Sequence, residues 1–290
     1  MEKILLCTDG SAFAQVGYEY AAWWANRTDM EIEVLYVTDV RKQKAFQGRD
    51  FSGSLGIDEH QTLLAKLVDR EHESAKLNHE RAKIILDSAR QVLVEKGVAE
   101  SVLHLTHAKG ALVNRFHELE AQSDLILLGK RGDTAGFAID HLGANMERIV
   151  RSSHKPCLVT SREFHPIERI LFAYDGGKSC QTALQFLLET PVLKGLELHI
   201  VTVAKTAAKE DAVIELHQKI EPQLKQQGFS PTFKVLHGNP EAAIVNYAEA
   251  NATHFLIMGT YGHNRLRHLV IGSTTAQVLR RSHLPVLLFR

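Results

Sequence analysis

The chain repeats itself. Ile4-Leu5-Leu6-Cys7-Thr8-Asp9-Gly10 returns as Ile170-Leu171-Phe172-Ala173-Tyr174-Asp175-Gly176, 166 residues later. Val34-Leu35-Tyr36-Val37 returns as Ile200-Val201-Thr202-Val203 at the same offset. Asp124-Leu125-Ile126-Leu127-Leu128-Gly129 returns as His254-Phe255-Leu256-Ile257-Met258-Gly259, now 130 residues on. Lys155-Pro156-Cys157-Leu158-Val159 returns as Leu284-Pro285-Val286-Leu287-Leu288 at 129. Four blocks in one order make the chain two copies of a single unit. Its 290 residues suit two domains of ordinary size. The expected domains are 1–162 and 163–290, divided where an apolar run gives way to Ser161-Arg162-Glu163-Phe164-His165-Pro166. The fall in offset puts 36 extra residues of the first copy between Val37 and Gly129. They are expected in the polar, Gly-containing stretch 41–58 and the helical segment after it.

Within a copy, short apolar runs alternate with longer segments of helical period. In the second copy the pattern predicts strands at 169–174, 196–203, 231–236, 254–258 and 285–289. Helices are expected at 179–190, 208–227, 240–250 and 272–282. Such alternation gives right-handed βαβ units, an α/β class fold and an open parallel sheet covered on both faces. Runs such as Phe255-Leu256-Ile257-Met258, apolar at every position, fit strands buried on both sides. Ligands of such sheets bind beyond the carboxyl ends of the strands.

Chemistry is concentrated at one such end. After its fourth strand the second copy reads Gly259-Thr260-Tyr261-Gly262, nine residues, then Gly272-Ser273-Thr274 at a helix start. Gly259 and Gly262 allow a ligand to approach the backbone. The free amides and dipole at the helix start form an anion site, to which two hydroxyls add donors. His263, Arg265, Arg267 and His268 lie between the glycines and could screen a polyphosphate's charge. The plain alternative is that the glycines only turn the chain and Ser273 only caps a helix.

This pattern resembles the universal stress protein family. The resemblance rests on Gly-x2-Gly-x9-Gly-Ser after an apolar strand, on the terminal Pro285-Val286-Leu287-Leu288-Phe289, and on Asp9 and Asp175 ending the first strand of each copy. It covers essentially the whole chain, as a tandem member. It implies a five-stranded parallel sheet of the adenine nucleotide α-hydrolase type in each copy. In one subclass of the family it implies bound ATP or another adenine nucleotide, with Mg²⁺ as a possible companion. By the resemblance, Asp175 and Val203 contact adenine. Met258, Gly259 and Gly262 line ribose and phosphates, and Gly272, Ser273 and Thr274 hold the phosphate tail. Ala173 and His263 complete the candidate set. Asp175 has a simpler reading as a turn-capping carboxylate, since Asp before Gly is common in turns. The resemblance also implies antiparallel pairing of last strands, here between the two copies as an internal pseudo-dimer. A further homodimer is left open.

The first copy departs from the pattern. It reads Gly129-Lys130-Arg131-Gly132, ten residues, then Gly143-Ala144-Asn145. Ala144 supplies no side-chain donor, and Asp133 and Asp140 oppose an anion while Lys130 and Arg131 favour one. The corresponding candidates are Asp9, Val37, Gly129, Gly132 and Gly143. We read this loop as degenerate, empty or holding a different ligand. Glu71, Glu73, Lys76, Glu80 and Lys83 in the extra segment fit a solvated helix face.

Other classes receive less support. Lys+Arg and Asp+Glu both number 34, so no global field draws the chain to nucleic acid or an anionic membrane. No run approaches a membrane span, and the first residues do not read as a signal peptide. Three cysteines without metal-ligand spacing fit a reducing compartment, so a cytoplasmic protein is expected. His104 and His107 alternate across a strand, and no metal site is expected among the 16 histidines. Tyr18, Tyr20, Trp23 and Trp24 are expected to be core or interface residues. No placed base or activated nucleophile marks a catalytic residue, which leaves at most weak ATPase activity. The leading expectation is a nucleotide-binding stress-response sensor or regulator. The rivals are an adenylating or ATP-hydrolysing enzyme using 175–179, and a nucleotide-free interaction protein.

Overall fold

The computed structural model describes residues 2–38, 57–132 (side chains from 68 onward), 142–204, 206, 210–260 and 271–290. The first copy runs β1 (Lys3–Thr8), α1 (Ala12–Ala25), β2 (Glu31–Thr38), α2 (Ile57–Glu95), β3 (Leu103–Lys109), α3 (Leu112–Glu120), β4 (Leu125–Gly129), α4 (Ala144–Ser152) and β5 (Cys157–Thr160). The second runs β6 (Arg169–Ala173), α5 (Lys178–Glu189), β7 (Glu197–Ala204), α6 (Glu210–Gln226), β8 (Thr232–His237), α7 (Pro240–Ala250), β9 (Phe255–Gly259), α8 (Ser273–Arg281) and β10 (Val286–Phe289). Every strand and helix expected in the second copy occurs, within two residues of the expected bounds. Among the described residues the copies differ chiefly in α2, which has 39 residues against 17 in α6. Much of the expected insert, 39–56, lies outside the described residues.

Strand periodicity explains the layers. Ile4 and Leu6 of β1 face one core, with Tyr18, Trp24, Leu86 and Leu93. Leu5 and Cys7 face the other, with Phe116, Met146 and Ile149. Phe255 and Ile257 of β9 divide from Leu256 and Met258 in the same way. Helices α1, α2, α5 and α6 therefore cover one face, and α3, α4, α7 and α8 the other. Ser11 starts α1 by accepting the Ala14 N–H at 3.3 Å, and Asn239 starts α7 by accepting that of Ala242 at 3.1 Å.

All ten strands form one sheet, in the order β3-β2-β1-β4-β5-β10-β9-β6-β7-β8. Within each copy the neighbours are parallel. At the seam β5 and β10 pair antiparallel, with Leu158 opposite Leu287. Two apolar edge strands thus cover each other, which removes an aggregation-prone edge. The cores also cross the seam: Trp24 of α1 lies 6.3 Å from the ring of Phe186 and 6.2 Å from that of Phe255, centre to centre. The aromatic residues of the first helix are core and interface residues, as expected. The strand order reverses direction between β1 and β4, and between β6 and β9, so each copy has a crevice at those carboxyl ends. No helix among the described residues is long and apolar enough to cross a membrane.

Candidate functional site

In the second copy β6 ends at Ala173, and the chain turns through Tyr174-Asp175-Gly176-Gly177 into α5. The turn is tied locally. Asp175 Oδ1 accepts the Gly177 N–H at 2.8 Å, so this carboxylate does cap its own turn. Gly176 has φ +74°, in the left-handed region, and a Cβ there would sit 2.9 Å from Leu216 Cδ1 of α6. Next to it, the Thr202 hydroxyl donates to Tyr174 O at 2.5 Å and stands 2.8 Å from His217 Nε2. Burial lowers the His217 pKa from its ordinary value, which favours the neutral ring. Val203 follows on β7, half-buried at the strand's carboxyl end.

The neighbouring strand β9 delivers buried Met258 and then Gly259 against the first turn of α5. A Cβ on Gly259 would fall on Ser179 Oγ and lie 3.3 Å from Cys180 Sγ. Only glycine fits there without displacement. Thr260 is then pinned to the sheet, its N–H donating to Phe289 O at 2.7 Å and its hydroxyl to the same oxygen at 2.9 Å. Its carbonyl accepts the Gly272 N–H at 2.9 Å. Thr275 Oγ1 donates to Gly259 O at 3.0 Å. These two bonds lock the start of α8 onto the end of β9. Gly272 is the N-cap of α8, without a side-chain cap bond, so Ser273 is not the capping residue. Ser273 is exposed and Thr274 half-buried in the first turn. The first-turn amides after Gly272 have no intrahelical acceptor. Ala173, Asp175, Met258, Gly259, Gly272, Ser273 and Thr274 therefore gather around the ends of β6 and β9, with Val203 one strand further out. Gly262, His263, Arg265, Arg267 and His268 lie outside the described residues.

The first copy builds the same frame differently. Asp9 Oδ1 accepts the Ser11 N–H at 3.0 Å, and Gly10 has φ +77° beside Ile85 of α2. The Gly143 N–H donates to Lys130 O at 3.1 Å, as Gly272 does to Thr260. A Cβ on Gly132 would lie 2.5 Å from Asp9 Oδ2, so Gly132 lies directly against the carboxylate. Asp9, Gly129, Gly132 and Gly143 are brought together, and Val37 is half-buried at the end of β2. Lys130 corrects the sequence reading. Its ammonium does not face this loop but donates to Ser282 O, in the other copy, at 2.8 Å. Burial, with Arg131 adding to it, lowers the Lys130 pKa to about 8.

The sequence pattern of the universal stress protein family matches residues 1–161 and again 166–290. The chain belongs to the universal stress protein family. Universal stress protein Slr1230 of Synechocystis is 52% identical over 290 residues, 100% of both chains. Among solved structures, a universal stress protein of Archaeoglobus fulgidus covers 99% of this chain and 96% of its own, with TM-score 0.69 and 22% identity. A universal stress protein from Pseudomonas aeruginosa covers 100% of this chain and 93% of its own, with TM-score 0.63 and 17% identity. These two likenesses establish the fold.

In this tandem universal stress protein, sequence reasoning missed three contributors. Thr275 locks α8 to Gly259, Ser179 fills the space beside Gly259, and Thr260 anchors the loop to Phe289. A signal existed for Thr275 alone, since it stands three residues after Gly272 and so faces back across the first turn. Ser179, within the 175–179 stretch considered for an adenylating enzyme, is buried with its hydroxyl beside Gly259.

The turn at Gly176 gives a direct stability test. Gly176→Ala is expected to lose about 1–2 kcal/mol from the left-handed backbone, plus the crowding against Leu216. Gly195 has φ +80°, and a Cβ there would meet nothing within 4 Å, so Gly195→Ala supplies the backbone cost alone. Urea unfolding of both variants checks this. A cost at Gly176 no larger than at Gly195 would show that the Leu216 contact is slack.

Proposed function

We propose that this universal stress protein binds an adenine nucleotide, ATP or AMP, in its C-terminal half, and that it acts as a cytoplasmic stress sensor or regulator. One observation carries the reading: the Gly272 N–H to Thr260 O bond, which holds the first turn of α8 against the carboxyl end of β9. Phosphate would meet the amides of Ser273 and Thr274 and the two nearby hydroxyls, where a helix start favours negative charge. Adenine would lie toward Asp175 and Val203, and Mg²⁺ would accompany the phosphates. The reading assigns no catalytic residue and takes binding, not turnover, as the function.

The N-terminal half supports a division of labour. Gly132 lies against the Asp9 carboxylate, and the Lys130 ammonium is turned to the other half. A phosphate there would face a carboxylate without that lysine, so the reading leaves the N-terminal loop without a polyphosphate. The cysteines fit the expected compartment. Cys7, Cys157 and Cys180 are unpaired and buried, and burial pushes each thiol up to about 12, which keeps them as inert core residues.

Isothermal titration of the nucleotide-stripped full chain with ATP tests the reading. The wild type is expected to bind one ATP per chain. Gly272→Val is expected to lose that binding, because a Cβ at this position meets Thr260 O at 2.9 Å and must part the helix from the strand. Absence of heat from the stripped wild type would remove the nucleotide assignment, and two equivalents bound would remove the asymmetry between the halves.

A further inference from the structure

The lysine of the N-terminal loop serves the opposite half. The Lys130 backbone belongs to its own copy: the N–H donates to Thr160 O at 3.3 Å and the carbonyl accepts from Gly143. Its side chain crosses the β5–β10 seam. Nζ donates to Ser282 O at 2.8 Å and reaches Arg280 O at 3.5 Å. Ser282 is the C-cap of α8, so the ammonium sits at that helix's carboxyl end. Helix carboxyl ends carry unsatisfied carbonyls and partial negative charge, and a cation there is stabilising. Lys130 is 8% exposed, which shields the contact from solvent screening. Helix α8 has nine residues. Its amino end, with Gly272, Ser273 and Thr274, is therefore about 13 Å away along one rigid rod.

The seam is not symmetric in this respect. The end of α4 also receives a cation from across it, since Arg290 Nη1 donates to Arg151 O at 3.0 Å, but that contact is exposed. Thr260 occupies the position of Lys130 in the C-terminal half, and its hydroxyl stays within its own copy, on Phe289 O. The helix of the intact loop thus has a buried cap from the other half. Among the described residues, the cation that reaches the end of the degenerate loop's helix across the seam does so in an exposed contact, which solvent screens.

We propose that Lys130 is a positioning residue for the phosphate site of the C-terminal half, so that the site in one half is completed by a residue of the other. The inference rests on the nucleotide reading above. The N-terminal loop keeps the frame of a phosphate loop but turns its lysine to fix α8 from behind. Without that cap, the last turn of α8 frays and its amino end is held less firmly against Thr260.

ATP titration and amide hydrogen exchange of the full chain, on wild type, Lys130→Met and Lys130→Arg, test it. Lys130→Met is expected to weaken ATP at least about fivefold, the lower range of coupling between sites. Exchange at α8 amides is expected to quicken in the same variant, without change in β1 or β6. Lys130→Arg, which keeps the charge and the donors, is expected to restore most of both. ATP affinity like that of the wild type in Lys130→Met overturns the proposal while leaving the nucleotide site intact. So does a loss that Lys130→Arg does not restore, because Lys130 would then be packing alone. A wild type that takes no ATP overturns the nucleotide reading itself, and this inference with it. Should Lys130→Met fail to fold, Lys130→Gln, a neutral donor, carries the same two measurements.

Discussion

Trp24→Ala is expected to cost about 3–5 kcal/mol, the range for emptying a large aromatic site in a core. The ring is fully buried, and it belongs to α1 of the first copy while touching Phe186 and Phe255 of the second. A cavity there loosens both copies at once, so the two halves are expected to unfold together at lower urea. Trp24→Phe is expected to cost less, since Trp24 Nε1 has no hydrogen-bond partner among the described residues and phenylalanine leaves no polar atom unmatched. Urea unfolding followed by circular dichroism checks both variants. A loss under about 1 kcal/mol for Trp24→Ala, well below the core range, would show that the ring is not packed as described. Separate unfolding of an intact C-terminal half would show that the shared core does not couple the halves.

Glu120→Leu is expected to be nearly as damaging, at about 3 kcal/mol for stranding buried donors. Glu120 is 5% exposed at the end of α3. Its Oε1 accepts from the Ser153 hydroxyl at 2.5 Å and the His154 N–H at 2.7 Å, and its Oε2 faces His117 Nδ1 at 2.9 Å. These bonds hold the turn from α4 into β5, the strand that forms the seam. Burial raises the Glu120 pKa, but the bonds from Ser153, His117 and the His154 amide, with the charge of His117, outweigh it and hold the pKa below 4.5. The folded value is lower than the unfolded one, so the carboxylate's contribution is fully present above pH 4.5. It is lost as the pH falls below that through the folded value. Glu120→Gln keeps an acceptor but not the charge, and is expected to flatten this part of the acid-denaturation curve. Unfolding measured from about pH 6 to about pH 3, spanning the carboxylate range, decides the matter. An unchanged acid limb in Glu120→Gln would exclude this carboxylate as its source.

Much of the site was legible because its geometry is a matter of chain spacing. The order of strand, glycine pair and helix start put Gly259 and Gly272 at one sheet end, and the Asp before glycine marked the turn at 175. The role of Asp175 as a turn cap was the simpler reading of its sequence context, and the Gly177 bond bears it out. The contributions of Thr260 and Ser179 were not legible, since each depends on which neighbour its side chain meets after the strands are paired, whereas the spacing of Thr275 from Gly272 did carry a local signal.

The amino-acid sequence by itself determined the repeat, the element order, the parallel sheets and the apolar edge strands that must be covered. These follow from the periodicity of side chains along the backbone, which any stretch of chain carries locally. Only the tertiary structure decided where the ends of long side chains go. In the sequence Lys130 is a cation beside a glycine in a candidate anion loop, and its local context assigns its charge to that loop. The antiparallel seam brings the carboxyl end of α8 within 2.8 Å of its ammonium, and a buried charge goes to the acceptors that replace its lost water. That contact joins residues 152 positions apart, and no local pattern encodes it.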